Sequence, residues 1–227
     1  MKHINPTCKL TKSDKQRDAI IIAGFPAIGK SSLTKADPHP LSHEPSWEEK
    51  PVMFGKNKAI PTIWVSAQGD RHRVFDIDSA DYKSPDGTDD FSSYIAMIML
   101  ILEQDPKAIL LVCTKPGLTK EMRKRHLDYA LVYPRRDLKD VWLARQADRI
   151  QKSEHEHGAT SAAAKAQHGL YKFMEKKWDE WQDGFEQDEV TDFDPEKEVA
   201  RFEFDEKDYL KCCMDRILES IVLGRKR

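Results

Sequence analysis

Along the chain, short unbroken apolar runs alternate with longer stretches in which apolar residues recur every three or four positions. Ala19-Ile20-Ile21-Ile22-Ala23 is continuous, β-branched and followed at once by Gly24, which predicts a buried strand over 18–23. Further strands are expected over 73–78, 108–113 and 129–133. Between them the period lengthens. Residues 90–103 carry Ile95 and an apolar run from Met97 to Leu102, so that helix must be covered on more than one side. A second helix follows Pro116 and runs to about His126, and a third begins near Asp137 with Leu138, Val141, Trp142 and Ala144 on one face. Strands alternating with helices predict an α/β fold with a parallel sheet and right-handed crossovers.

Two regions break this rhythm. From Ala36 to Gln68, Pro38, Pro40, Pro45, Pro51 and Pro61 punctuate polar text that cannot hold a long helix, and the segment reads as a mobile insertion. After residue 152 the text is helical. Leu170, Phe173, Met174, Trp178, Trp181 and Phe185 form one stripe, and Leu210, Cys213, Met214, Ile217, Leu218, Ile221 and Val222 form another, both read as core contacts. The acidic stretch 187–194 between them reads as a solvated loop. The expected organisation is a core over 1–152 with an insertion at 36–68, and a C-terminal helical region over 153–227.

Composition narrows the classes. The 227 residues are 39% hydrophobic and 33% charged, which suits a folded domain more than a disordered chain. With 37 basic and 39 acidic side chains the net charge is −2, so no global field draws the chain to nucleic acid or to an anionic membrane. Cys8, Cys113, Cys212 and Cys213 have no metal-like spacing and imply reduced thiols. The start lacks an apolar signal core, and no apolar run approaches the roughly 18 residues of a membrane span. A cytoplasmic protein without a membrane partner is expected.

The most specific chemical signal lies directly after the first strand. Gly24-Phe25-Pro26-Ala27-Ile28-Gly29-Lys30-Ser31 fits G-x-x-x-x-G-K-[ST], and Ser31-Ser32-Leu33 should open a helix. Glycines at both ends let successive backbone N–H groups turn toward phosphate oxygens, and the helix N-terminus adds partial positive charge. The pattern assigns nucleotide binding to residues 24–32, phosphate neutralisation to Lys30 and a magnesium-binding hydroxyl to Ser31. The expected cofactors are ATP and Mg²⁺.

Such a site also needs a carboxylate at the carboxyl edge of a neighbouring strand. Asp76 and Asp78 stand two apart and share a side if the strand continues, with Asp76 the magnesium partner and Asp78 the base or acceptor contact, beside Ser79. Either acid has an alternative role as the cap of the next helix. No N-K-x-D occurs, and the strand ending in Cys113-Thr114 offers no acid, which argues against a GTPase. The D-x-D resembles the strand end of small-molecule kinases such as shikimate and gluconate kinases.

A broader resemblance rests on three strings. Gly24 to Ser31, Asp76-Ile77-Asp78-Ser79-Ala80-Asp81-Tyr82 and Leu131-Val132-Tyr133-Pro134-Arg135-Arg136-Asp137-Leu138-Lys139 are similar in order and spacing to the P-loop nucleotide-kinase-like proteins of tailed phages and some microbial eukaryotes. The resemblance implies roles for two arginines matching Arg145 and Arg149, and for a W-D-x-[FW] segment matching Trp178-Asp179-Glu180-Trp181. It departs at 36–68, which the shorter relatives lack.

Arg145 and Arg149 are four apart and share a helix face, where they would meet a transferring phosphoryl group or pair with Asp140 and Asp148. Lys115 and Arg123 are candidate contacts to an anionic acceptor, or surface ion-pair partners. His155-Glu156-His157 lacks zinc spacing and reads as a polar, mobile segment. The expected function is phosphoryl transfer from Mg-ATP to a nucleoside or nucleotide, with a modified base in DNA as a variant acceptor. The reading from another class is a nucleotide-binding switch or regulatory ATPase with no acceptor.

Overall fold

The run after Asp18 forms strand β1 (Ile20–Gly24), and every residue in it is buried. The computed structural model of the chain describes residues 18–30, 33, 50–187 and 200–225. These fall into two compact units, one drawn from Met1–Ala23 and Ser31–Ala130, the other from Gly24–Lys30 and Leu131–Arg227. The architecture is mixed α/β with mostly parallel strand pairing.

In the first unit, β4 (Pro61–Val65) pairs antiparallel with β5 (Arg71–Asp76), and β5 pairs parallel with β6 (Ile109–Cys113). Next to β6 lies β1, where the Ile20 N–H donates to Ala108 O at 2.9 Å. A hairpin of β2 (Val52–Phe54) and β3 (Asn57–Ala59) precedes β4. The segment expected as an irregular insertion thus contains three strands among its described residues. Its short runs, such as Thr62-Ile63-Trp64-Val65, pair through β-branched and aromatic residues despite the prolines, and Pro61 stands where a strand tolerates it, at the first position. Residues 36–49 lie outside the described residues.

Helix α1 (Phe91–Gln104) matches its expected span, opened by Asp90, whose carboxylate accepts from the Ser93 N–H. Its Tyr94, Ile95, Met97, Ile98, Ile101 and Leu102 are buried, each apolar side chain contributing about 1.5–3 kcal/mol. Helix α2 (Pro116–Lys124) comes close to α1 at Gly117, where a Cβ would fall 2.3 Å from the Phe91 ring. Arg73 on β5 pairs with Asp105 at 3.1 Å, both side chains at most 10% exposed.

In the second unit β7 (Ala130–Pro134), wholly buried, pairs parallel with β8 (Arg201–Phe204). The region after 152, expected to be all helix, therefore contributes a strand. Although Arg201-Phe202-Glu203-Phe204 alternates, β8 is only four residues long and flanked by charge, too short a run to be read from the text. Helices α3 (Lys139–His157), α4 (Ala162–Gln187) and α5 (Leu210–Arg225) complete the unit. The buried stripe of α3 is Trp142, Gln146 and Ile150; of the expected face Trp142 is buried, Leu138 and Val141 are half-buried and Ala144 is exposed. His155-Glu156-His157 forms its last helical turn instead of a mobile segment, and the acidic stretch 188–194 lies outside the described residues. No helix among the described residues is long and apolar enough to cross a membrane.

Candidate functional site

The loop 24–30 is shaped by what it buries. Phe25 is fully buried, its ring 5.4 Å from that of Trp178, 4.6 Å from Trp181 and 6.0 Å from Phe185, all on α4. Ile28 is also fully buried. Between these anchors the backbone must curl outward, and it does so at Ala27 (φ 62°) and Gly29 (φ 95°), left-handed positions that cost a non-glycine residue about 1 kcal/mol or more. A Cβ on Gly24 would lie 2.4 Å from Ile28 Cδ1, so that position accepts only glycine without a shift.

The loop is fastened on both sides. The Phe25 N–H donates to Val132 O of β7 at 2.9 Å, and the Leu210 N–H, at the start of α5, donates to Ile28 O at 2.8 Å. The Lys30 ammonium folds back on its own loop, donating to Gly24 O at 2.6 Å and Phe25 O at 3.3 Å. Ser31 and Ser32, expected to serve magnesium and phosphate, lie outside the described residues.

Arg145 of α3 is held in the same unit. Its guanidinium stands 4.0 Å from the Trp142 ring centroid and 4.1 Å from that of Tyr209, and it donates to Asp208 O at 3.1 Å and to Glu206 O. Burial lowers its pKa below the ordinary value, opposed by Tyr209 and Asp208. Tyr209 in turn approaches Gly29, where a Cβ would lie 3.4 Å from the tyrosine ring. The arginine expected on a phosphoryl group thus clamps residues 206–209, which precede the amide that binds Ile28. Arg149, one turn further along α3, is exposed. Of the W-D-x-[FW] segment, Trp178 Nε1 donates to Arg136 O at 2.9 Å, and Asp179 lies 3.9 Å from the Arg136 guanidinium.

In the first unit, β5 ends at Asp76, which is half-buried. Ile77 continues the pairing, its N–H donating to Leu111 O at 3.0 Å, and the buried Tyr94 hydroxyl donates to Ile77 O at 2.6 Å, which fixes the backbone between the two acids. Burial keeps the Tyr94 pKa well above its ordinary value, so it remains a donor. Asp78 is the cap of a 3-10 turn, Ser79–Asp81, its carboxylate accepting from the Ala80 N–H at 2.9 Å. Ser79 is the buried first residue of that turn.

Lys115 ends beside Asp89 at 2.7 Å, and Lys83 shares that carboxylate at 2.5 Å. Burial alone would raise Asp89, but the two lysines outweigh it and hold the carboxyl below its ordinary value. Arg123 lies in the last turn of α2, eight residues from Lys115 and hence about 12 Å along the helix axis, so the two candidates are not brought together. His155-Glu156-His157 joins no group of three or more potential metal ligands among the described residues.

Sequence reasoning missed Tyr209 and Tyr94, and read Leu210 only as a core contact. Tyr209 and Leu210 meet the loop from about 180 residues away, which no local pattern signals; Tyr94 was hidden inside a helix read only for its apolar surface. Comparison of the chain with family models, with curated proteins and with solved structures found no match, so the site rests on its own geometry.

Proposed function

We infer that the chain is an ATP-dependent phosphotransferase that moves the γ-phosphoryl group of Mg-ATP to a nucleoside or nucleotide acceptor. The observation that carries this reading is the loop 24–30. A buried strand runs into a backbone held left-handed at Ala27 and Gly29, closed by a lysine whose ammonium rests on nearby carbonyls that an anion would replace. That donor set suits a polyphosphate. Magnesium, held by Ser31 with Asp76, would neutralise charge on the transferring group.

In the reaction an acceptor oxygen attacks the γ-phosphorus, the bond to the β–γ bridging oxygen breaks with its electron pair leaving on ADP, and the acceptor proton passes to Asp78. Lys30 orients the β- and γ-oxygens. Arg145 acts by positioning residues 206–209, and Arg149 remains the candidate to meet the transferring group. Lys115 and Arg123 are assigned to an anionic acceptor less directly, since Lys115 already has a carboxylate partner. One observation favours a second reading, an ATP-hydrolysing switch without an acceptor: the Asp78 carboxylate is engaged by its own turn.

The test is calorimetric titration of Mg-ATP into wild type and Lys30→Ala, with labelled γ-phosphate transfer to a panel of nucleosides, nucleotides and oligonucleotides. Lys30→Ala should lose turnover while keeping its unfolding midpoint. Equal affinity and turnover in the two proteins would remove the basis of the assignment, and hydrolysis without transfer to any acceptor would favour the switch.

A further inference from the structure

Within the first unit, the β2–β3 turn and the turn Ser79–Asp81 border a cavity of about 180 Å³ together with the opening of α1. Several charged groups around it are already committed. Asp90 caps α1, and Lys83 is bound to Asp89. Three polar side chains on its wall have no hydrogen-bond partner among the described residues: Asn57, Asp81 and Tyr82. Tyr82 is only 4% exposed, its ring edge-on to Tyr94 at 4.9 Å. Its hydroxyl is not among the enclosed polar atoms left without a partner, so it reaches the solvent of the cavity and is free to bond a ligand there. Phe54 adds an aromatic ring and Lys56 a cation to the wall.

We propose that this cavity receives the amino-bearing base of the acceptor, a cytosine-type ring, with the sugar left outside. Size limits the ligand first. About 180 Å³ corresponds to roughly six waters at ~30 Å³ each and is smaller than the cavities of about 300–1,000 Å³ that enclose a drug-sized molecule, so one planar ring system fits and a whole nucleotide does not.

Chemistry limits it next. A carboxylate accepts from the amino group of cytosine, a side-chain amide offers an adjacent donor and acceptor, and an aromatic ring supplies a stacking surface. Asp81, Asn57 and Phe54 are those three groups. Uracil presents a carbonyl where cytosine presents its amino group, and would set one acceptor against another. Burial and the nearby Asp78 raise the Asp81 pKa, whereas burial and Asp81 push Tyr82 up to about 12, leaving the phenol protonated and able to donate or accept. The cavity borders the turn that Asp78 caps, three residues before Asp81, so base and reacting hydroxyl are served by one short segment.

The acceptor role rests on the phosphotransferase reading; binding of the base does not. Cytidine, uridine, ribose and oligo-dC are titrated into the full chain without ATP, which keeps adenine out of the assay, and followed by calorimetry and amide shift changes. Cytidine should bind at least about tenfold more tightly than uridine, ribose should not bind, and Asn57→Ala should lower cytidine affinity by roughly tenfold while leaving Mg-ATP affinity unchanged. Tyr82→Phe, which removes one oxygen and keeps the ring, should weaken cytidine as well, and serves if Asn57→Ala fails to fold. Both cytidine and oligo-dC binding support the site, and their ratio says whether the base comes free or in nucleic acid. Equal cytidine and uridine affinity, no cytosine binding, or indifference to both substitutions overturns it. Cytidine bound, with no transfer to it or to any other acceptor of the panel, leaves the pocket standing and removes the kinase; transfer to other acceptors without cytosine binding removes the pocket alone.

Discussion

The loop 24–30 and the strand end 76–81, both proposed above for phosphate chemistry, are built differently. The loop is shaped by packing: Phe25 and Ile28 are fully buried and force the backbone between them outward. The strand end is shaped by hydrogen bonds, from Tyr94 to Ile77 O and from Ala80 to the Asp78 carboxylate. A packed loop keeps its geometry at the cost of tolerating few substitutions. A hydrogen-bonded turn tolerates more, and its side chains can carry two roles.

The largest expected effect breaks the packed side. Phe25→Ala removes a ring set among three α4 aromatics and should destabilise the chain by about 3–5 kcal/mol in denaturant unfolding. A loss below about 1 kcal/mol would mean that the loop is shaped by something other than this ring.

On the hydrogen-bonded side, Asp78→Asn separates two roles. Asparagine caps about as well as aspartate, so stability should hold within about 0.5 kcal/mol, whereas phosphoryl transfer should fall by about 10²-fold if the carboxylate accepts the proton. Asp78→Ala should add the lost cap, about 1 kcal/mol. Unaltered transfer in the asparagine variant would leave Asp78 as a cap alone.

Arg145→Lys keeps the charge but loses the planar stack and the two-carbonyl fork. A loss of about 1–2 kcal/mol by denaturant titration is expected, together with weaker Mg-ATP binding as residues 206–209 loosen. Normal stability combined with slow transfer would return the guanidinium to the reacting phosphoryl group.

The smallest effect is a pH dependence. Burial lowers His72 below 6.5, helped by Lys107 and opposed by Asp70 and Asp105, so its charged form is disfavoured in the fold. The unfolded chain therefore binds the proton first, and stability present above 6.5 is lost as pH falls toward the folded-state value. His72→Gln should flatten that part of the acid limb of unfolding midpoint against pH, and an unchanged limb would show that burial is not felt there.

What the sequence disclosed follows the same division. The strands β1, β5, β6 and β7 and the helix α1 were legible because continuous burial writes continuous apolar text. The loop was legible because Gly29 marks a left-handed backbone and Gly24 a close approach to Ile28, both of which other residues resist. The strands β2, β3 and β8 were not, being three or four residues long and half-exposed. Nor was the placement of Arg145, which depends on carbonyls more than 60 residues away. Asp78 was legible as a residue type but not as a role, because a cap and a general base require the same carboxylate.

The antiparallel placement of β4 also sets an order of assembly. Only residues 66–70 separate β4 from β5, with the Ser66 N–H donating to Asp70 O and Gly69 at φ 89° closing the turn, whereas β5 and β6 are separated by residues 77–108. A hairpin of that kind closes in about 1–10 μs, and the longer connection carries the larger loop-closure entropy. The ribbon 61–76 should therefore exist as a template on which the parallel pairing with 109–113 is later laid down, and pulse-labelled amides of 61–65 should gain protection ahead of those in β6.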